Sequence, residues 1–236
     1  MQYHISAILP TYNEKENIGK LISQIKKYAG VHLYEIIVVD DNSPDRTWEI
    51  VTSLAKKDRR IRLIRRIRVR GLPSAIWAGI KAARGNVVMW MDCDLSHPPS
   101  IIPEMIRNLG NYDVISASRY VKGGKDSRNL GRVVASRMVD IAASVILSLD
   151  VKDITSGFYM AKKKVFSKVT LKQDGYAEYC IRFSHDAIRQ GYKWKEVPYT
   201  FTDRQAGKSK SFGNILNFVK NGQLCLNEII RLKFSK

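Results

Sequence analysis

Short apolar runs alternate with amphipathic stretches through the first half of the chain. Ile5-Ser6-Ala7-Ile8-Leu9 reads as a strand, Ile36-Ile37-Val38-Val39-Asp40 as a second, Ile61 to Ile64 as a third and Val87-Val88-Met89-Trp90-Met91 as a fourth. Between the first two, Ile18, Leu21, Ile22 and Ile25 recur at helical spacing. They predict a helix from about Glu14 to Tyr28, capped by Asn13 or Thr11. Asp45 opens a second helix through Trp48, Val51, Leu54 and Ala55, and Leu72 to Ala83 forms a third. Continuous apolar strands separated by amphipathic helices predict an α/β fold: a mostly parallel, Rossmann-like sheet with helices on both faces.

The second half is less regular. Asp113 to Ser118 reads as a strand ending at Arg119. Met138, Ile141, Ala142, Val145 and Leu149 make an apolar helical stripe, expected to pack in the core. Gly157 to Ala161 reads as a strand, Glu178 to Gln190 as a helix and Trp194 to Thr202 as one or two strands. A polar, basic loop, Asp203 to Ser211, precedes a last amphipathic helix from about Phe212 to Leu232. No repeat or linker divides the chain. The expected organisation is one catalytic domain over 1–211 with an amphipathic helical appendage over 212–236.

Charge is the feature of composition that changes this picture. The 236 residues carry 40 Lys and Arg against 22 Asp and Glu, a net charge of +18. Such a surface implies an acidic partner: nucleic acid, anionic lipid or a phosphorylated substrate. Cys93, Cys180 and Cys225 are widely spaced and form no CxxC pair, which points to a reducing compartment and away from a disulfide framework or structural zinc. The N-terminus reaches a strand at once, so no signal peptide is expected, and no apolar run approaches the ~20 residues that span a bilayer. Membrane contact is then expected to be peripheral, or to depend on another chain or segment.

The polar motifs gather after the strands, where ligands of such sheets bind. Asp92 and Asp94 follow the fourth strand, two positions apart and so starting on the same side. Two like charges there repel unless a cation or electropositive ligand lies between them; a divalent cation with a diphosphate would satisfy both. The bland alternative is one Asp capping a turn and one solvated. After the second strand, Asp41 is placed to bind a ribose hydroxyl or a base edge, while Asp45 reads as a helix cap. After the first strand, Tyr12 suits stacking on a base and Glu14 suits accepting from its donors; the same residues also make a good helix start. No Walker loop, spaced GxGxxG or GxSxG occurs, which argues against P-loop, dinucleotide and serine-hydrolase chemistry. The four histidines show no metal-ligand spacing, and His97 reads as a turn residue. Arg59, Arg60, Arg62, Arg65, Arg66, Arg68 and Arg70 crowd one stretch. They suit a phosphate or anionic-lipid surface, or equally a solvated basic edge strand. Arg70-Gly71 is the part best placed to touch a ligand. Arg119, Arg132, Arg204, Lys208 and Lys210 sit in predicted loops beside glycines and suit phosphate capture.

Together the stretches Ile8 to Glu14, Val38 to Thr47, Gly71-Leu72, Met91 to Pro99, Ser118 to Gly124 and Ser156-Gly157-Phe158 resemble the family 2 inverting glycosyltransferases of GT-A fold. They are most like the polyprenyl-phosphate hexose synthases, of which dolichyl-phosphate mannose synthase is the type. The resemblance spans roughly residues 3 to 211. It implies a nucleotide-sugar donor, GDP-mannose first and UDP-glucose next, bound by Pro10, Tyr12, Glu14, Val39, Asp41, Gly71, Asp92, Cys93 and Lys210. It implies Mg2+ or Mn2+ held by Asp92, Asp94 and Ser96. It implies a polyprenyl or dolichyl phosphate acceptor bound by Arg119, Arg132 and Ser136, with Asp94, Arg119, Arg132 and Arg204 as the catalytic set. Two departures stand out. Ser96 occupies a position where these synthases usually carry Gln, and the C-terminal transmembrane helices of many relatives are not seen in this chain. The expected location is peripheral, on the cytoplasmic face of the membrane, with a membrane-anchoring partner subunit left open.

Chemistry adds a reason for the acceptor. A phosphate monoester, with a second pKa of ~6, is already a dianionic nucleophile near neutral pH. A sugar hydroxyl would need a base, for which Asp126, Asp153 or Glu178 would have to serve. Attack opposite the leaving diphosphate inverts the anomeric centre. The C-terminal helix, with Ile215, Phe218, Val219, Leu226, Ile229 and Ile230 flanked by basic residues, suits an anionic membrane surface. Two rivals remain: a family 2 transferase acting on a saccharide hydroxyl, and a basic nucleic-acid-binding module built on the arginine stretch. The second leaves the acidic strand ends unexplained.

Overall fold

Strand β1 (Ile5–Thr11) is buried along its whole length and takes a partner on each side: β2 (Leu33–Asp40) and β4 (Val87–Trp90), both parallel to it. The computed structural model describes residues 2–175, 177–202, Arg204 and 215–234, with side chains in the last helix described from 221 onward. The remaining elements are α1 (Ile18–Ala29), α2 (Thr47–Lys57), β3 (Ile61–Arg65), α3 (Leu72–Ala82), α4 (Ile102–Asn108), β5 (Val114–Ser118), β6 (Lys125–Asp126), α5 (Leu130–Leu147), β7 (Tyr159–Lys162), α6 (Glu178–Arg189), β8 (Trp194–Pro198), β9 (Thr200–Phe201) and α7 (Ile215–Phe234). The main sheet has seven strands in the order β3-β2-β1-β4-β7-β5-β8, and β6 and β9 pair separately. Only β7 runs antiparallel to its neighbours in the main sheet. This is the mostly parallel, Rossmann-like sheet expected from the sequence.

The strands read as unbroken apolar runs because both faces are covered. Alternate side chains feed two cores. Ala7, Leu9, Ile36, Val38 and Met89 face α1 and α4 through Leu21, Ile25, Ile102 and Met105. Ile8, Ile37, Val39, Val88 and Trp90 face α3 and α6 through Ile76, Ile80 and Phe183. Each such aliphatic side chain contributes roughly 1.5–3 kcal/mol by leaving water. Gly79 lets α3 lie directly on β1, since a Cβ there would collide with the Ile8 side chain. A third, smaller core joins α5, α6 and α7 through Ala143, Leu147, Ile181, Cys225, Ile229 and Leu232.

Several sequence expectations need correction. Helix α1 begins at Ile18, with Asn17 at its N-cap position, rather than near Glu14. The intended caps are engaged elsewhere. Thr11 donates its hydroxyl to Asp40 Oδ2 at 3.0 Å, and Asn13 stands at φ 55° with its amide on the Ser43 hydroxyl. Helix α4, with Pro103 in its first turn, was not anticipated. Helix α5 starts at Leu130, well before the expected stripe; Leu149 and Ala142 of that stripe do join the third core, but the rest of it turns outward. Met138, Ile141 and Val145 are 66%, 48% and 71% exposed, so core packing does not account for them. The reason is polar: α5 buries the face of Asp140, whose Oδ1 accepts from the Thr155 amide and hydroxyl, together with Ala143 and Leu147. The expected domain boundary at 211/212, with Lys208, Lys210 and Phe212, lies outside the described residues.

Candidate active site

Neighbours β2, β1 and β4 end in polar loops around one cavity of about 390 Å³. Pro10, Thr11, Tyr12 and Glu14 line it after β1, Asp41 after β2, and Asp92, Cys93 and Asp94 after β4. Arg70, Gly71, Leu72 and Ala75 close one side and Arg204 another. The chain leaves β1 for β2 on one side and returns to β4 on the other, and the crevice opens at that switch, as expected for ligand sites of α/β sheets.

At one end stand the two aspartates that finish β2. Asp40 is fully buried and structural: Ser43 donates to it through amide and hydroxyl, and Thr11 through its hydroxyl. Asp41 faces the cavity. It accepts from Arg66 Nε at 2.6 Å and from the Gly71 amide at 2.8 Å. Gly71, at φ 136°, adopts a backbone that side chains of L-residues resist, and this aims its amide at Asp41. Arg70 lies over the Tyr12 ring at 5.2 Å.

At the other end Asp94 is set by a tight local turn. Its Oδ1 accepts from the Ser96 amide at 3.1 Å and hydroxyl at 2.6 Å, across Leu95 at φ 65°. A bulky residue in the left-handed region is strained, and such strain collects at functional sites. The Arg204 guanidinium reaches Glu14 Oε1 at 2.9 Å and Asp94 Oδ2 at 3.4 Å, bridging the cavity floor. His97, expected as a turn residue, is a buried support instead. Its Nδ1 accepts from the Asp92 amide at 3.2 Å and its Nε2 donates to the Ser156 carbonyl at 3.1 Å. Burial pushes its pKa down to about 4 against the pull of Asp94, so it serves as a neutral ring.

A second polar cluster surrounds Arg119 at the end of β5. Arg119 donates to Asp153 three times, through its amide at 2.7 Å, Nε at 2.8 Å and Nη2 at 2.6 Å. Asp126 lies at 3.4 Å and Asp140 at 3.8 Å, and Thr155 accepts at 3.0 Å. Burial works against the Arg119 charge, yet Asp153 above all holds its pKa well above the ordinary value. Asp140 bears the opposite strain: burial and nearby Asp153 push its carboxyl up to about 8, with Arg119 pulling back. Ser136 lies 3.5 Å from the Thr155 hydroxyl, and Arg132 is half-buried one turn earlier on α5.

The cavity thus brings together Pro10, Tyr12, Glu14, Asp41, Gly71, Asp92, Cys93, Asp94 and Arg204. Cys93 donates its thiol to the Pro10 carbonyl at 3.2 Å. Val39 is not among the lining residues; its side chain is in the core. Ser96 is 2% exposed and turned to Asp94. Arg119, Arg132 and Ser136 form the neighbouring cluster, and Lys210 lies outside the described residues. Part of the basic stretch is engaged within the protein, while Arg59, Arg68 and Arg70 are exposed. Arg60 pairs with Asp58, Arg62 with Glu35 and Arg66 with Asp41, and Arg65 stacks on Trp48 at 3.7 Å. Arg66, His97, Asp140 and Thr155 escaped sequence reasoning. Each acts through contacts with residues distant in sequence, which periodicity does not reveal.

Residues 6–170 match the glycosyl transferase family 2 profile. Over 219 residues the chain is 39% identical to the dolichol-phosphate mannosyltransferase of Pyrococcus furiosus, spanning 90% of this chain but only 60% of that protein. It is 34% identical to the polyprenol monophosphomannose synthase of Mycolicibacterium smegmatis, over 88% of this chain and 80% of that protein. It is 31% identical to the dolichol-phosphate mannosyltransferase of Saccharomyces cerevisiae, over 92% and 84%. Among solved structures, glucosyl-3-phosphoglycerate synthase from Mycobacterium tuberculosis, in complex with Mn2+, UDP and phosphoglyceric acid, superposes with a TM-score of 0.72. That likeness covers 99% of this chain and 80% of the other at 18% identity, and speaks for the fold alone.

Proposed function

The chain belongs to glycosyl transferase family 2, and from that premise we propose that it is an inverting mannosyltransferase using GDP-mannose, a divalent cation and a polyprenyl or dolichyl phosphate acceptor. The observation that carries this reading is the single cavity where Tyr12, Asp41 and Gly71 at one end meet Asp92, Asp94 and Arg204 at the other. Nucleoside recognition and diphosphate handling are thus joined in one crevice. The names of the Pyrococcus, Mycolicibacterium and Saccharomyces relatives supply the mannosyl and polyprenol parts of the proposal.

The donor set suits Mg2+ or Mn2+ shared with a diphosphate. Asp92 and Asp94 face the cavity, and among the described residues no group of three acidic, histidine or cysteine side chains forms a metal site of its own. Carboxylates supplemented by substrate phosphates are the usual Mg2+ arrangement. When bound, the cation would neutralise charge developing on the leaving diphosphate. Ser96 would orient Asp94 rather than reach the cation. Arg204, already between Glu14 and Asp94, would add its charge beside the same leaving group.

For the acceptor, Arg132 and Ser136 sit in the first two turns of α5, and Arg119 shapes the floor behind them. That helix also carries an exposed apolar row, Leu130, Val134, Met138, Ile141 and Val145. Helix α7, packed beside it, exposes Leu226, Ile230 and Phe234. Phosphate-binding groups and a lipid-facing row on one helix suit a lipid phosphate at a membrane surface. Among the described residues no helix is long and apolar enough to cross a membrane. Location on the cytoplasmic face, with or without an anchoring subunit, is part of the same proposal; that no disulfide joins Cys93, Cys180 and Cys225 agrees with it.

The residues that would serve the saccharide-hydroxyl alternative as base are otherwise placed. Asp126 and Asp153 are ion-paired with Arg119, and Glu178 is buried on α6. A nucleic-acid role leaves the acidic strand ends unexplained, and two arginines of the basic stretch, Arg62 and Arg66, are turned onto Glu35 and Asp41.

The test is transfer of radiolabelled sugar from GDP-mannose, with UDP-glucose in parallel, to dolichyl phosphate in Mg2+, Mn2+ or EDTA. Cation-dependent mannose in the lipid phase is the expected result. Donor hydrolysis without lipid product would move the acceptor elsewhere, and inertness toward both donors would sink the proposal.

A further inference from the structure

Asp41 lines the donor cavity and is gripped from behind. Arg66 donates through Nε to Oδ1 at 2.6 Å, with Nη2 equally close. The Gly71 amide donates to Oδ2 at 2.8 Å. Arg66 is fixed in turn, donating to the Ser74 hydroxyl at 2.9 Å and the Gly71 carbonyl at 3.0 Å, and its side chain is 11% exposed. A carboxylate oxygen accepts about two hydrogen bonds. The guanidinium therefore occupies Oδ1, Nε by a hydrogen bond and Nη2 in close ion-pair contact, and the open acceptor position is on Oδ2 at the cavity wall.

We propose that Arg66 is a positioning residue that makes Asp41 a single-acceptor reader of the donor's base, selecting bases with a ring N–H over bases with a ring acceptor there. The inference rests on the reading that this cavity takes a nucleotide sugar. Guanine and hypoxanthine carry a ring N–H at N1, and uracil carries one at N3. Adenine N1 and cytosine N3 carry lone pairs instead. An ion-paired carboxylate only accepts, so those bases set acceptor against acceptor in a largely buried place. Leaving a buried polar group unmatched discriminates more strongly than omitting a favourable contact. With Oδ1 filled, Asp41 does not take the guanine ring N–H and exocyclic amine side by side, so the amine adds little. Tyr12 beneath Arg70 offers a face to stack on, and stacking favours every base alike. Selection therefore falls to Asp41 and to the arginine that turns it.

The test is calorimetric titration of the full chain, with Mn2+ present, by GDP, IDP, UDP, ADP and CDP. GDP and IDP are expected within about threefold of each other, UDP on their side of the divide, and ADP and CDP at least about thirtyfold weaker. Arg66→Gln should weaken GDP by about tenfold or more and bring GDP and ADP toward parity. Should that variant not fold, Asp41→Asn keeps the shape, offers an N–H, and should erase the same preference. An arginine that merely braced the fold would lower the melting temperature and leave base preference intact. The inference is overturned if ADP or CDP matches GDP in the unmodified chain, or if either variant keeps full preference. It is also overturned if GDP exceeds IDP by more than about tenfold, since both guanine donors would then be read. If no nucleoside diphosphate binds at all, the reading of the cavity fails and takes this inference with it.

Discussion

Arg119 and Asp153 are joined by three hydrogen bonds, one from the Arg119 backbone and two from its guanidinium, with both side chains almost wholly out of water. A guanidinium buried to this degree is tolerable only while its partner is charged and in place. Removing the carboxylate with Asp153→Ala should cost about 3–5 kcal/mol of stability, the range for breaking a buried pair. Urea denaturation measures it, and a loss under about 1 kcal/mol would show that Asp126 and Asp140 suffice without it.

Asp140 gives this cluster a pH signature. Its carboxyl ordinarily titrates near 3.8 and is pushed up to about 8 here, chiefly by burial. The folded state then binds that proton more tightly than the unfolded state. The resulting stabilisation is full at low pH and is lost as pH rises from about 4 through about 8. Asp140→Asn removes the titration. Its stability relative to the parent should therefore increase between pH 5 and pH 8 in paired denaturation curves. A difference that stays constant, or falls, would contradict the assignment.

Asp94 is expected to be the residue through which cation binding is felt. Asp94→Asn should reduce lipid-linked transfer by about a hundredfold or more, as should EDTA on the parent chain. Direct Mn2+ binding, followed by paramagnetic resonance with GDP present, should weaken in step. Unchanged Mn2+ affinity in Asp94→Asn would move the cation to other ligands.

The outward row on α5 can be tested without disturbing the core. Met138→Glu combined with Val145→Glu changes two exposed positions and should leave stability within roughly 0.5 kcal/mol per site. Partition onto anionic vesicles should fall by about tenfold or more, each side chain giving up roughly 1 kcal/mol of burial in lipid. Full retention of vesicle binding would shift the contact to α7. Deleting α7 is the poorer experiment, because Cys225, Ile229 and Leu232 close the third core.

The parallel half of the sheet was legible because each strand is buried on both faces and so leaves an unbroken apolar run. The placement of ligand groups followed from the fold class, and Tyr12, Asp41, Asp92 and Asp94 do share one cavity. What escaped is what depends on partners. The direction of β7 leaves no trace in its own four residues. The apolar residues of α5 look the same in sequence whether they face protein or solvent, and the buried Asp140 decides which. His97 and Arg66 are ordinary until Asp92 and Asp41, met in space, give them work.

The place of β7 between β4 and β5 bears on how the protein must be made. Val87–Trp90 is buried on every residue, yet one of its edges is covered by residues translated only after β5, β6 and α5. On the ribosome, that edge stands open through a long interval of elongation. An apolar strand with unsatisfied backbone groups is a template for any neighbouring copy. Stalled chains ending before Tyr159 should therefore sediment with aggregates, and chains released beyond β7 should not. The cavity inherits this order of events: although its walls come early in the sequence, the sheet beneath them is sealed from the far side, and late.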